Sequence, residues 1–153
     1  MRVLLSAVLS LWAGVVQADV VAREGWVVVE TSKSYDQLVS DVKASVKANK
    51  MGVVTQAGPT GAARSRGITI PGNRVIGVFN NVYAVRVLGL STAAMIEAPI
   101  RIYVTETDAG ATLSYKTPSF VFAPYMEEAG PDLGVAAQEL DVVFKAIADA
   151  AAG

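Results

Sequence analysis

Alternating apolar and polar residues mark the segment from Pro99 to Pro118 as an antiparallel β-hairpin. Residues 108–110 separate its two halves, and Gly110 supplies the positive φ that such a turn favours. Because side chains alternate between the faces of a strand, the apolar positions share one face. That face carries Ile100, Ile102, Val104, Leu113 and Tyr115. The pattern therefore predicts two paired strands with one side in a core.

Apolar residues at helical spacing predict two main helices, one on either side of the hairpin in sequence. The first covers residues 35–50, after a capping box formed by Ser34 and Gln37, and Gly52 offers a stop signal. The second is a long, acidic closing helix over residues 131–151. A shorter helical pattern runs from Val82 to Ile96. After Pro118, an aromatic run to Met126 is interrupted by proline and is interpreted as an irregular cover over the sheet. The alternative interpretation is that this run lines an apolar pocket or a partner surface.

Further β-rich segments at residues 26–31, 53–56 and 73–79 complete the set of predicted strands. The expected fold is a single compact α+β domain over residues 19–153. Its mainly antiparallel sheet of about five strands is packed by the N-terminal-side helix and the long C-terminal helix.

Residues 1–18 have the pattern of a secretory signal peptide. Arg2 precedes an apolar run over residues 3–16, and small residues end the segment at Ala18. A membrane anchor is the alternative, but the run is shorter than the roughly 20 residues of a spanning helix. We therefore expect cleavage near Ala18 and a periplasmic or secreted protein. With no cysteine in the chain, neither disulfides nor a lipid-attachment site are available.

The absence of histidine and cysteine restricts the chemistry of the chain more than any motif does. It excludes Ser/His/Asp and Cys/His catalytic sites, and a zinc site would have to be built from carboxylates alone. We predict no metal and no cofactor. Haem bound by tyrosine and copper bound by methionine are the chemical alternatives, but these residues are interpreted as core or rim positions. The candidates for such sites are Tyr83, Tyr103, Tyr115, Tyr125, Met51, Met95 and Met126.

Charge is unevenly distributed although the net charge is only −1, which gives no indication of nucleic-acid binding. Arginines dominate residues 60–101, whereas acidic residues dominate the end of the chain. Arg64 and Arg66 beside the Gly-rich turn 58–61 suit an anion. Alternatively, the arginines pair with the acidic closing helix, within one chain or across a dimer. The neighbouring acids Glu127 and Glu128 are the local candidates for carboxylate catalysis.

An ordered set of short segments between Trp26 and Pro118 resembles domain of unknown function family 302. The segments are Gly52, Ala63 and Gly67, Phe79-Asn80-Asn81, Ala98-Pro99-Ile100-Arg101-Ile102-Tyr103-Val104, Gly110, and Leu113-Ser114-Tyr115 with Pro118. The resemblance implies a compact α+β fold, a dimer and no established activity. The chain departs from the family where Thr55-Gln56-Ala57-Gly58 replaces a segment with an Asp-His pair, and where Asn81-Val82 replaces Asn-Pro.

Three functional hypotheses follow from these observations. The leading one is a non-enzymatic, homodimeric domain that binds a small anionic or apolar ligand or a protein partner. The second is a carboxylate-dependent hydrolase or isomerase, and the third is a structural assembly module that uses the acidic helix. The candidate ligand-binding residues are Arg64, Arg66, Asn80, Asn81 and Arg101.

Overall fold

A five-stranded antiparallel sheet forms the framework of the protein, in the computed structural model that describes residues 20–153. The strands are β1 Trp26–Thr31, β2 Gly52–Ala57, β3 Asn73–Phe79, β4 Ile100–Thr107 and β5 Gly110–Lys116. Their order in the sheet is β1-β5-β4-β3-β2, so the predicted hairpin β4–β5 lies inside the sheet. The predicted α+β fold with its antiparallel sheet is confirmed.

Helices connect and cover the strands. They are α1 Tyr35–Ala48, α2 Thr60–Ser65, α3 Asn81–Leu90, α4 Pro118–Phe122, α5 Met126–Ala129 and α6 Pro131–Ala152, with 3-10 turns at Ala94–Glu97 and Ala123–Tyr125. The predicted helix from Val82 to Ile96 is therefore a helix followed by a 3-10 turn. The proline-interrupted aromatic run forms short helical pieces rather than one long element.

The ends of α1 follow the sequence signals in part. Ser34 Oγ accepts a hydrogen bond from the Gln37 amide at 3.3 Å, as a capping residue does. Gln37 does not complete the capping box, because its side chain donates to Asp41 at 2.7 Å instead. Beyond the helix, Lys50 takes a positive φ of 59°. Gly52, the predicted stop, is already the first residue of β2.

One face of the sheet, here called the inner face, carries the hydrophobic core. The strand residues of this core are Ile76, Val78, Ile100, Ile102, Val104, Ala111, Leu113 and Tyr115. Side chains of α1, α3, α4 and α6 pack against them, including Leu38, Val87, Phe122 and Phe144. The opposite, outer face carries no residue of this core cluster among residues 20–153.

The closing helix α6 is amphipathic as predicted and packs alongside α1. Lys33 joins the two helices, because its ammonium group donates to Asp41 at 2.9 Å and to the Ala151 carbonyl at 2.8 Å. The hydrogen bond from Lys33, with a smaller one from Gln37, lowers the pKa of Asp41. The C-terminal end of α6 is thus attached to the start of α1 by a charged side chain.

Candidate functional site

An apolar cavity lies at the end of the inner face where β3 ends and β4 begins. Its volume is about 30 Å³, and it opens into a surface depression of about 360 Å³ that includes solvent. Aliphatic, aromatic and thioether side chains form nearly all of its lining. The lining residues are Met51, Val78, Phe79, Asn80, Tyr83, Ala84, Val87, Met95, Ala98, Ile100, Phe122, Leu140 and Phe144. Such a lining favours a ligand that is itself largely apolar.

Helix α3 forms one wall of the cavity, and Asn80 fixes where that helix begins. The side-chain oxygen of Asn80 accepts hydrogen bonds from the amides of Val82 at 2.9 Å and Tyr83 at 3.3 Å. Its amide nitrogen donates to the Lys50 carbonyl at 2.9 Å. Asn80, a predicted ligand-binding residue, therefore has three partners within the chain. Asn81, the next candidate, is the exposed first residue of α3.

Polar contacts hold α3 and the following turn against the C-terminal helices. Arg86 forms an ion pair with Glu139 of α6 at 2.7 Å. The Ser91 hydroxyl donates to Glu128 at 2.5 Å, and the Tyr125 hydroxyl donates to Glu97 at 2.7 Å. Val87 is the one fully buried residue of α3, and Tyr83 and Leu90 pack partly buried against the core. The cavity wall is thus attached both by core packing and by side-chain contacts at its edges.

The hydrogen bond to Glu97 also raises the pKa of Tyr125. Burial and the negative charges of Glu97 and Glu128 raise it further. Both residues of the predicted carboxylate pair are exposed, and Glu128 alone of the two accepts the hydrogen bond from Ser91. The structure therefore does not bring the two neighbouring acids to a common point.

Behind the cavity, Tyr115 lies buried in the core with its ring centroid 5.6 Å from that of Phe144. Burial raises the pKa of Tyr115 to about 12, with smaller contributions from the negative charges of Asp149 and Asp141. The phenol is therefore neutral over the whole range in which the protein is expected to work. It serves as a packing residue of the inner face.

The candidate arginines lie away from the cavity. Arg64 and Arg66 are exposed in and just after α2, at the end of the sheet where β3 begins. Because β3 has seven residues, about 20 Å of extended chain separate that end from Asn80. The Arg66 guanidinium donates to the Ala62 carbonyl at 3.2 Å. Arg101 is exposed on the outer face opposite Gly77.

The candidate tyrosines and methionines are also dispersed. Tyr83 lines the cavity, Tyr103 contacts Asn73, and Tyr125 contacts Glu97. Met51 and Met95 both line the cavity, whereas Met126 packs against another part of the core. Within residues 20–153, no group of three or more acidic residues is placed to hold a metal ion. No helix of this part of the chain is long and apolar enough to cross a membrane.

The sequence indicated an apolar pocket only as the alternative interpretation of the aromatic run, and of that run Phe122 lines the cavity. A signal was nevertheless present in α3, which is apolar on two sides. Tyr83, Ala84 and Val87 face the cavity, while Val82 and Val85 are 76% and 70% exposed. A helix with two apolar sides indicates contact with something besides its own core.

Comparisons with known proteins show the family of this chain. Residues 27–151 match the family model described as Domain of unknown function DUF302. The chain belongs to the DUF302 family. This match ends within α6, so it includes the closing helix, beyond the residues 26–118 that carry the sequence resemblance. No curated protein matches this DUF302 domain.

A solved structure supports the same fold. The domain is similar to the crystal structure of an uncharacterized conserved DUF302 protein from Bacillus stearothermophilus, with a TM-score of 0.74 and 18% sequence identity. The similarity covers 84% of this chain and 99% of that chain. At this identity, the likeness concerns the fold alone.

Proposed function

We propose that this DUF302 domain is a non-enzymatic binding protein that holds a small apolar ligand in the cavity between α3, α6 and the sheet. The observation that carries the proposal is a cavity lined almost entirely by apolar side chains. Its polar lining residues are Asn80 and Tyr83, and Asn80 is already engaged as a helix cap. A ligand with at most one polar group therefore matches the lining best.

The amino-acid composition supports binding rather than catalysis. The chain contains no histidine and no cysteine, and the sequence neighbours Glu127 and Glu128 do not act at one point. The cavity also has no acidic or basic side chain in its lining. A general acid or base for a bound apolar molecule is therefore missing from its walls.

The test fills the cavity with a larger side chain and measures whether a defined probe still binds. Indole, a small and soluble aromatic molecule, is titrated into ¹⁵N-labelled protein while amide shifts are recorded. We expect saturable shifts at residues of α3 and around Met95. Ala84→Trp places an indole ring inside the cavity and should abolish these shifts. Ala44→Trp makes the same change at an exposed helical position and should leave them intact.

Ala84→Phe provides a smaller filling variant if the tryptophan prevents folding, and circular dichroism monitors the fold of each variant. Shifts that persist in both folded Ala84 variants would place the probe elsewhere and contradict the proposal. The same conclusion would follow if indole gave no saturable shifts in the unmodified protein.

We also propose that two copies associate through the surface formed by Val82, Val85, Leu88 and Ile96, called here the α3 surface. These side chains are 76%, 70%, 49% and 81% exposed. Lys47 and Lys50 lie near its Asn80 end, whereas Glu97 lies beside Ile96 at the other. A two-fold axis across α3 brings the basic end of one copy to the acidic end of the other, so charge complementarity favours a second copy.

Sedimentation equilibrium tests this association. Val85→Asp introduces a charge into the centre of the α3 surface and should convert a dimer into a monomer. Val54→Asp is the matched control, because Val54 is an exposed valine on β2 with 53% exposure. A protein that is monomeric without substitution, or a dimer that tolerates Val85→Asp, would contradict this surface.

Export to the periplasm or beyond completes the proposed role. It rests on the signal-peptide pattern of residues 1–18, which lie outside the residues that the structure describes. N-terminal sequencing of the protein recovered from the producing cell should begin at Asp19. Recovery of a cytoplasmic protein that retains its first residues would contradict export.

A further inference from the structure

Three basic residues belong to one end of the outer face of the sheet, on the side opposite to the cavity: Arg23 and Lys116 lie near Trp26, and Arg101 neighbours Lys116 in the strand register. Lys116 Nζ lies 5.7 Å from the ring centroid of Trp26, and Arg23 Cζ lies 5.6 Å from it. Trp26 pairs with Lys116 across β1 and β5. Extending the β4–β5 register by one residue places Arg101 opposite Lys116. The indole ring of Trp26 therefore lies within cation–π distance of Arg23 and Lys116, and the strand register places Arg101 next to Lys116.

This arrangement is electrostatically unfavourable for the protein alone. Like charges directly opposite each other on neighbouring strands repel, and Arg101 and Lys116 occupy such positions. Both residues are exposed, so water and salt weaken this repulsion, which is largest at low ionic strength. A fold gains nothing from this pairing unless another group supplies negative charge.

The described part of the chain does not supply that charge. Its ion pairs join Lys33 to Asp41, Arg86 to Glu139 and Lys145 to Asp149. None of these involves the three basic residues on the outer face. Glu24 follows Arg23 in sequence, and it too takes part in none of these ion pairs. On β1, Glu30 lies four residues from Trp26, about 13 Å along the strand.

We infer that Arg101, Lys116 and Arg23 form a binding site for a multivalent oxyanion, a phosphate or sulfate group, on the outer face of the sheet. Arg101 supplies a planar guanidinium fork that matches two oxygens of such a group, while Lys116 supplies a point charge. Trp26 holds Lys116 and Arg23 near their positions before the anion arrives. The site is independent of the cavity, because it uses the other face of the same strands.

Inorganic pyrophosphate at low ionic strength is the first probe, followed through the Trp26 indole N–H and the amides of residues 101 and 116. We expect saturable shifts that weaken with added salt. Arg101→Gln and Lys116→Gln should each reduce the affinity by about tenfold or more, as loss of a charge-assisted hydrogen bond does. Arg64→Gln and Arg66→Gln remove equally exposed arginines elsewhere and should leave the affinity unchanged.

Thermal unfolding gives a second, independent readout with the opposite sign. Without an anion, Arg101→Gln should raise Tm by about 1–3 °C, because it removes the repulsion from Lys116. With pyrophosphate, the same variant should lose the ligand-induced gain in Tm that the unmodified protein shows. A merely structural role for Arg101 would lower Tm in both conditions and would overturn the inference.

A second binding experiment, with vesicles that contain phosphatidylglycerol, distinguishes a lipid headgroup from a soluble phosphate as the anion. Binding of vesicles that requires Arg101 and Lys116 would identify a lipid headgroup, whereas binding of pyrophosphate alone would identify a free or soluble phosphate. Either result supports the site. The inference would be contradicted if neither probe bound, or if the Arg64 and Arg66 variants lost as much affinity as the Arg101 and Lys116 variants.

Discussion

The two faces of the sheet are made by alternate residues of the same strands, yet they differ in almost every physical property. The inner face is buried under helices and contributes eight strand residues to the core. The outer face carries an aromatic ring, basic side chains and hydroxyl groups. Sequence patterning determines which residues belong to which face. The comparison teaches that alternate residues of one strand can form a hydrophobic core on one face and a charged surface on the other.

The largest expected difference between the faces is in stability. Ile102→Ala removes a fully buried side chain from the inner face and should lower the free energy of unfolding by about 2–5 kcal/mol. Its sequence neighbour Arg101 is exposed on the outer face, so Arg101→Ala should change that value by no more than about 0.5 kcal/mol. Urea unfolding measures both. Similar losses for the two variants would show that the outer face is covered in solution.

Alkaline pH separates the faces through their tyrosines. The folded pKa of Tyr115 is about 12, above its unfolded value of 10.0, so its contribution to stability is complete below pH 10. That contribution should fall between pH 10 and 12, by up to about 2–3 kcal/mol. Tyr115→Phe should remove this component of the pH dependence, whereas Tyr103→Phe on the outer face should retain it. Unfolding free energies in urea at several pH values provide the measurement.

An intermediate loss of stability is expected from a substitution at Asn80, where α3 begins. Asn80→Ala removes the cap of α3 and the bond to the Lys50 carbonyl, and should cost about 1 kcal/mol or somewhat more. Asn81→Ala alters the adjacent exposed residue and should be nearly neutral. Hydrogen exchange of the α3 amides should accelerate only in the Asn80 variant. Equal exchange in both variants would mean that core packing, not the cap, fixes α3.

The smallest effect concerns the ion pair that joins α3 to α6. A double-mutant cycle with Arg86→Gln and Glu139→Gln should give a coupling of about 0.2–1 kcal/mol, because both side chains are well exposed. The coupling should decrease as salt is added. The intrahelical pair Lys145 and Asp149 offers a comparison without any link between helices. A coupling that is insensitive to salt would indicate a packing contribution instead.

The predictability of the fold follows from which signals are local. The alternation in β4 and β5 and the spacing in α1 and α6 identified the core, because burial on one side leaves a period in the sequence. The position of the cavity is not predictable in this way, since it depends on the distance between α3 and the side chains of Leu140 and Phe144 in α6, a tertiary distance that no sequence period records. Likewise, the function of Asn80 as a helix cap depends on its neighbours' backbone geometry.

The candidate site also combines features that the sequence predicts with features that depend on tertiary structure. Arg101 was selected as a basic residue, but its relation to Lys116 and Trp26 required the strand order β1-β5-β4. Arg64 and Arg66 were grouped because they are close in sequence, and they remain exposed on α2. Composition thus indicated which residues carry chemistry, while the sheet register determined which of them meet.

The unfilled space beside α3 has a mechanical consequence. Unfolding eliminates internal voids, so a protein that contains one occupies a larger volume when folded. Hydrostatic pressure should therefore act on this end of the molecule first, where a cavity of about 30 Å³ lies beside α3. An occupant would resist that compression. The α3 end of the domain is thus its most compressible part, and a bound ligand would act there as a support.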